Sequence, residues 1–123
     1  MLGSEEILAF APTTDAARAT VFYRDVLGLT LIEDTPFALV FDANGRQLRI
    51  PKVEAFTPQP FTIVGWSVRD IKATMSGLAA KGVTFERYPG MDQDAAGAWS
   101  SPGGAKVAWF KDLDGNLLSL TQG

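Results

Sequence analysis

The sequence predicts an α+β fold in which one pattern is used twice. Three observations carry that prediction. An apolar strand, an Asp-capped helix ending at glycine and a glycine-turned hairpin run from Ile7 to Ile50, and the same order recurs from Phe61 to Thr121. Laying Asp15 on Asp70 sets Leu8 over Ile63, and laying Asn44-Gly45 on Asp114-Gly115 sets Arg49 over Ser119. Between the copies, Pro51 to Pro60 carries three prolines, which a central strand cannot hold. At 123 residues the chain has the length of one domain, 1–123, with module one at 5–52, a linker at 53–60 and module two at 61–122. Each half alone would be marginal, so the copies are expected to fold together.

Each element has its own local signal. Ile7-Leu8-Ala9-Phe10-Ala11 is short, apolar and closed by Pro12, as in a strand covered on both faces. Thr13-Thr14-Asp15 supplies N-cap oxygens for a helix over Ala16 to Leu27, where Ala19, Phe22, Tyr23 and Val26 fall on one face. Gly28 provides a left-handed stop. Leu29 to Glu33 and Phe37 to Asp42 are expected strands, and Asn44-Gly45 turns the chain into a third, Arg46 to Ile50. In the second copy, Phe61 to Val68 is the first strand, Asp70 caps a helix carrying Ile71, Met75, Leu78 and Ala79 on one face, and Gly82 ends it. Val83 to Arg87 is an expected strand, and Lys106 to Thr121 an expected hairpin turning at Asp114-Gly115-Asn116. The remaining stretch, Tyr88 to Gly104, is long, glycine-rich and irregular, which suggests a lid or a disordered loop.

Composition narrows the function. A hydrophobic share of 46% against 20% charged residues is that of a globular chain and not a disordered one. A net charge of −3 without a Lys/Arg cluster argues against nucleic acid and favours a cationic or neutral ligand. Glu5 and Glu6 stand where a secretory signal would be basic, and no apolar run approaches a membrane span, so cytoplasmic residence without membrane association is expected. The chain has neither Cys nor His. That removes disulfides, thiolate nucleophiles and the commonest metal ligands and general bases.

Phe22-Tyr23-Arg24-Asp25-Val26-Leu27-Gly28-Leu29 and Phe110-Lys111-Asp112-Leu113-Asp114-Gly115-Asn116-Leu117-Leu118, set in the paired pattern, resemble the vicinal oxygen chelate superfamily. That group includes glyoxalase I, extradiol dioxygenases, fosfomycin-modifying enzymes and bleomycin-resistance proteins. The resemblance spans Ile7 to Gln122 and implies two βαβββ modules forming a curved mixed sheet around a cup, with the helices on the outer face. It also implies a homodimer. In the family's metalloenzymes, one residue from the first and one from the last strand of each module bind a divalent metal. The equivalents here are Leu8, Arg49, Ile63 and Ser119. Two aliphatic side chains and a guanidinium offer no lone pair, and a lone serine hydroxyl holds a metal poorly, so no metal and no cofactor are expected.

Strand alternation extends the set, because residues two apart share a face. Leu8 brings Phe10, Ile63 brings Gly65 and Ser67, and Ser119 brings Leu117 and Thr121. A two-residue turn at Asn44-Gly45 pairs Arg49 with Val40 and Gln47 with Asp42 on that same face. Arg49 then has two readings, a cross-strand pair with Asp42 or a group that orients a ligand. Trp66 is assigned to the helix side as core, the side of Trp109 is open, and Trp99 is either a stacking platform for a ligand or a loop anchor. The expected ligand-binding set is Leu8, Phe10, Val40, Asp42, Arg49, Ile63, Trp99 and Ser119.

Three functions fit. The leading one is a metal-independent small-molecule-binding protein of the bleomycin-resistance type, sequestering a hydrophobic or aromatic ligand such as an antibiotic. Another is a metal-independent isomerase or lyase using Asp42, Glu33, Arg49, Tyr88 and Ser119 for acid–base work. The third is a subunit or regulatory module with a vestigial cup.

Overall fold

Asp15 and Asp70 do the same work in the two halves of the chain. Each has extended backbone and turns its carboxylate onto the first helical turn, where Asp15 Oδ1 accepts from Arg18 N and Asp70 Oδ1 from Ala73 N, both at 3.1 Å. The computed structural model describes residues 1–123 and divides into two compact units, Met1–Thr57 and Pro58–Gly123, the boundary falling within the proline-rich stretch. No helix is long and apolar enough to cross a membrane.

The first unit runs β1 (Ala9–Phe10), α1 (Ala16–Thr20), β2 (Thr30–Asp34), β3 (Ala38–Ala43) and β4 (Arg46–Pro51). Its four strands form one mixed sheet in the order β1-β4-β3-β2, with β1 parallel to β4. Helix α1 is shorter than the sequence pattern suggests, because the turns at Val21–Val26 widen to π-type, with Leu27 N donating to Phe22 O. The wider turn leaves Phe22 and Tyr23 both buried with Ala19, and the Tyr23 ring lies 5.7 Å from that of Phe41. Leu39 and Phe41 of β3 pair with Ile50 and Leu48 of β4 and complete this core. Asn44 and Gly45 both have positive φ (53° and 84°), the backbone of a two-residue hairpin turn.

The second unit runs β5 (Val64–Ser67), α2 (Ile71–Ala80), β6 (Trp99–Ser100), β7 (Lys106–Lys111) and β8 (Leu117–Gln122), with sheet order β5-β8-β7-β6. Helix α2 packs on β7 and β8 through Ile71 and Met75, over Ala108, Phe110, Leu118 and Leu120. Trp66 lies on this side as expected, stacked on Phe110 at 6.4 Å, although it is only half-buried. The β7–β8 turn is organised by the buried Asp112, whose Oδ1 accepts from Asp114 N and Asn116 N while Oδ2 accepts from Asn116 Nδ2.

Three expectations need correction. The first strand is not covered on both faces. Only Ala9 and Phe10 pair with β4, and Ile7, Leu8 and Phe10 are 81%, 42% and 53% exposed, because Ile7 and Leu8 precede the paired residues and the face that carries Phe10 is not buried as Ala11 is. Val83 to Arg87 is not a strand. It makes a single bridge, Phe85 to Phe110, because β6 occupies the other end of the same β7 edge at Lys106 and Val107. Tyr88 to Gly104 is not irregular throughout, since it contains β6 and a Gln93–Trp99 bridge, and hydrogen bonds tie down its loop. The Gln93 amide donates to Glu86 O and Gly97 O, the Asp94 carboxylate accepts from the amides of residues 96 to 98, and Arg87 donates to Asp94 O.

Candidate functional site

In each unit the helix covers one face of the sheet, and the candidate residues lie on the other. In the first unit the register places Phe10, Arg49 and Val40 side by side in one row, with Gln47 beside Asp42 in the next. Leu8 lies two residues before Phe10 on the same side. Val40 is buried, Arg49 and Asp42 are half-buried, and Leu8 and Phe10 remain exposed.

The expected Arg49–Asp42 pair does not form. Asp42 Oδ1 accepts from Gly45 N at 3.1 Å, so this carboxylate closes the hairpin turn. Arg49 Nη2 donates instead to Gln47 Oε1 at 3.1 Å, and Arg49 Nε is buried with no hydrogen-bond partner. Gln47 entered the sequence argument only as a face neighbour. Its role was readable from the i, i+2 spacing along β4, which puts an amide oxygen next to the guanidinium.

In the second unit one row holds Gly65, Ser119 and Trp109, and the next holds Ser67, Thr121, Val107 and Trp99. The structure therefore resolves the side of Trp109, which shares a face with Ser119 and Trp99. It also moves Trp99 out of a loop and into β6, with its ring 6.2 Å from that of Trp109, which in turn meets Tyr88 edge-on at 5.5 Å. A Cβ on Gly65 would stand 2.8 Å from Ser119 Oγ, so glycine leaves room for this hydroxyl. Ile63 precedes β5, half-buried, its N–H donating to Leu117 O.

A cavity of about 220 Å³ opens beside this row, lined by Pro58, Gln59, Glu86, Tyr88, Lys111 and Leu117. Lys111 Nζ stands 3.4 Å from Glu86 Oε1. The Tyr88 phenol is held above its ordinary pKa, first by burial and then by the negative charge of Glu86, with Lys111 acting in the opposite sense. It stays protonated at neutral pH and can donate a hydrogen bond. In the sequence Tyr88 is only a possible acid–base group, and this cavity is not legible there, since its walls come from the linker and the far end of the hairpin.

The residues at the family's metal positions do not fit a metal. Leu8 and Ile63 carry no donor atom, Arg49 is a cation with an unpartnered N–H, and Ser119 offers one hydroxyl. No group of three or more His, Cys, Asp or Glu is placed to hold one elsewhere.

Residues 7–120 match the family model of the Glyoxalase/Bleomycin resistance protein/Dioxygenase superfamily. No curated protein matches the sequence significantly. Among solved structures, the chain is similar to a member of the same superfamily from Sphaerobacter thermophilus DSM 20745, with 22% identity, all of both chains covered and a TM-score of 0.78. It is similar also to lactoylglutathione lyase from Agrobacterium tumefaciens, with 18% identity, 98% of this chain and 94% of that one covered, and a TM-score of 0.75. A genomically encoded fosfomycin resistance protein from Listeria monocytogenes matches at 15% identity, 98% and 93% coverage and a TM-score of 0.75. At these identities the likeness is one of fold, but the family match covers nearly the whole length: the chain belongs to the glyoxalase/bleomycin resistance protein/dioxygenase superfamily, the vicinal oxygen chelate proteins.

Proposed function

We propose that this chain is a metal-independent small-molecule-binding protein that sequesters a hydrophobic or aromatic compound. The observation that carries the proposal is the exchange at the family's metal positions. Leu8, Arg49, Ile63 and Ser119 replace a donor set, and the same sheet faces carry apolar and aromatic side chains, Leu8 and Phe10 exposed in one unit and Trp99 and Trp109 half-buried in the other. Apolar walls with a few fixed polar groups are the usual make-up of a small-molecule site. A fosfomycin resistance protein shares the fold, which makes antibiotics a sensible ligand class to try.

Tryptophan emission tests this directly, because two of the three indoles lie on the Ser119 face and the third, Trp66, on the helix side. Titration with a panel of aromatic, quinone and glycopeptide compounds is expected to give a saturable shift for at least one of them, weakened by Trp99→Phe. A broad panel that leaves both emission and calorimetric heat unchanged removes the proposal.

The homodimer belongs to the same proposal. Strand β2 is an edge strand, with Ile32 on it and Phe37 just beyond it exposed, and such edges are commonly covered by a second copy. Sedimentation at micromolar concentration is expected to give a dimer mass, and a monomer there rejects it.

A further inference from the structure

The chemistry of Arg49 goes one step further, and it rests on the binding function just proposed. We propose that Arg49 is the anchor of the ligand site and selects compounds that place an anionic oxygen, such as a carboxylate, beside an apolar body.

A guanidinium has five N–H donors, no acceptor, and keeps its charge throughout the ordinary pH range. In Arg49 the protein uses Nη2, on Gln47, and leaves Nε buried without a partner. No other buried side-chain nitrogen or oxygen in the chain lacks one. Such an atom destabilises the folded state unless something else accepts from it.

No carboxylate forms an ion pair with Arg49. Asp42 closes its turn through Gly45 N, Asp34 pairs with Lys52, Asp25 with Arg24, and Asp15 caps α1. Glu33 is the remaining carboxylate of this row, but it is exposed and separated from Arg49 by β3, with Val40 between them. The immediate row is instead apolar, Phe10 on one side and Val40 on the other. A fixed cation between apolar neighbours repels a cationic compound and holds an anion strongly, because low-dielectric surroundings reinforce the charge-assisted bonds. Net charge alone favours a cationic or neutral ligand; the local arrangement favours the opposite sign. Phe10 and Leu8, both exposed, are placed to meet the apolar part of the same molecule.

The test uses a matched pair, naphthoate and naphthamide, which share an aromatic body and differ in the anionic oxygen. Calorimetry gives the affinities, and the Arg49 Nε–H resonance of the labelled full chain, assigned by its loss in Arg49→Lys, reports contact. Naphthoate is expected to bind at least about tenfold more tightly than naphthamide, the size of one charge-assisted hydrogen bond, and to shift the Nε–H signal. Arg49→Gln should erase that preference, bringing the two affinities within about twofold of each other. Equal affinities with an unmoved Nε–H overturn the anchor and leave the binding function standing. A preference that survives Arg49→Gln assigns it to another cation and overturns the anchor as well. No binding of either compound, with Nε–H unmoved, overturns the anchor, and the broad panel decides the binding function separately. If Arg49→Gln does not fold, the wild-type resonance decides by itself.

Discussion

Arg49→Met asks whether the guanidinium is satisfied within the folded chain. Methionine keeps much of the apolar stem and deletes all five donors. The deletion removes a buried Nε–H without an acceptor, which costs the folded state roughly 1–3 kcal/mol. It also removes the Nη2 bond to Gln47 Oε1, part-buried and worth about 1 kcal/mol net. The two terms oppose each other, so the variant should be between neutral and about 2 kcal/mol more stable. Removing one partner of a buried ion pair would instead cost about 3–5 kcal/mol, so the two cases are well separated. Urea unfolding followed by tryptophan emission measures the difference, with an unchanged slope confirming a comparable unfolding transition. Calorimetry should place the melting temperature level with the wild type or a few degrees above it, roughly 4 °C per kcal/mol at this chain length. A loss of about 3 kcal/mol or more would show that Arg49 has an internal counter-ion, and the orphaned-donor argument would fall.

Trp66→Ala should cost about 2–3 kcal/mol in denaturant unfolding, below the range for a fully buried aromatic because the indole is half-buried on Phe110; a change under about 0.5 kcal/mol would contradict the helix-side assignment. In alkaline difference titration, the phenol signal lost in Tyr88→Phe should have its midpoint above the usual value of about 10, and a midpoint at or below that value refutes the burial argument. Because the folded-state pKa is the higher one, the Tyr88 contribution to stability is complete below the unfolded pKa and is lost as pH rises through the folded value. Elemental analysis of the purified protein should find no stoichiometric Zn, Ni, Mn or Fe, whereas about one tightly held ion per chain would refute the donor argument at Leu8, Arg49, Ile63 and Ser119.

The sequence by itself determined whatever depends on neighbours along the chain. Asp15 and Asp70 cap their helices because a short carboxylate at that position reaches an amide three residues on, wherever the helix later packs. The Asn44-Gly45 turn admits one strand register, so the pairings of Val40 with Arg49 and Asp42 with Gln47 followed from turn length and the two-residue alternation. Carrying the same alternation into the second copy also put Ser119 and Trp66 on opposite faces, as observed.

Competition between distant segments was decided only by the tertiary structure. One edge of β7 is divided between Phe85 and the Trp99–Ser100 strand, and no local propensity reveals that two stretches share one row of donors and acceptors. The face of Trp109 depended on the turn that Asp112 builds with Asp114 and Asn116, whose length is set by buried side-chain hydrogen bonds and not by a two-residue rule. The state of Arg49 was settled in the same way. Asp42 and Gln47 were both within reach in sequence, but Gly45 N claims the carboxylate, and a guanidinium left with an amide on one side and apolar neighbours on the other keeps a donor free. Which acceptor a buried donor finds is a three-dimensional allocation problem, and pairwise spacing along the chain does not contain its solution.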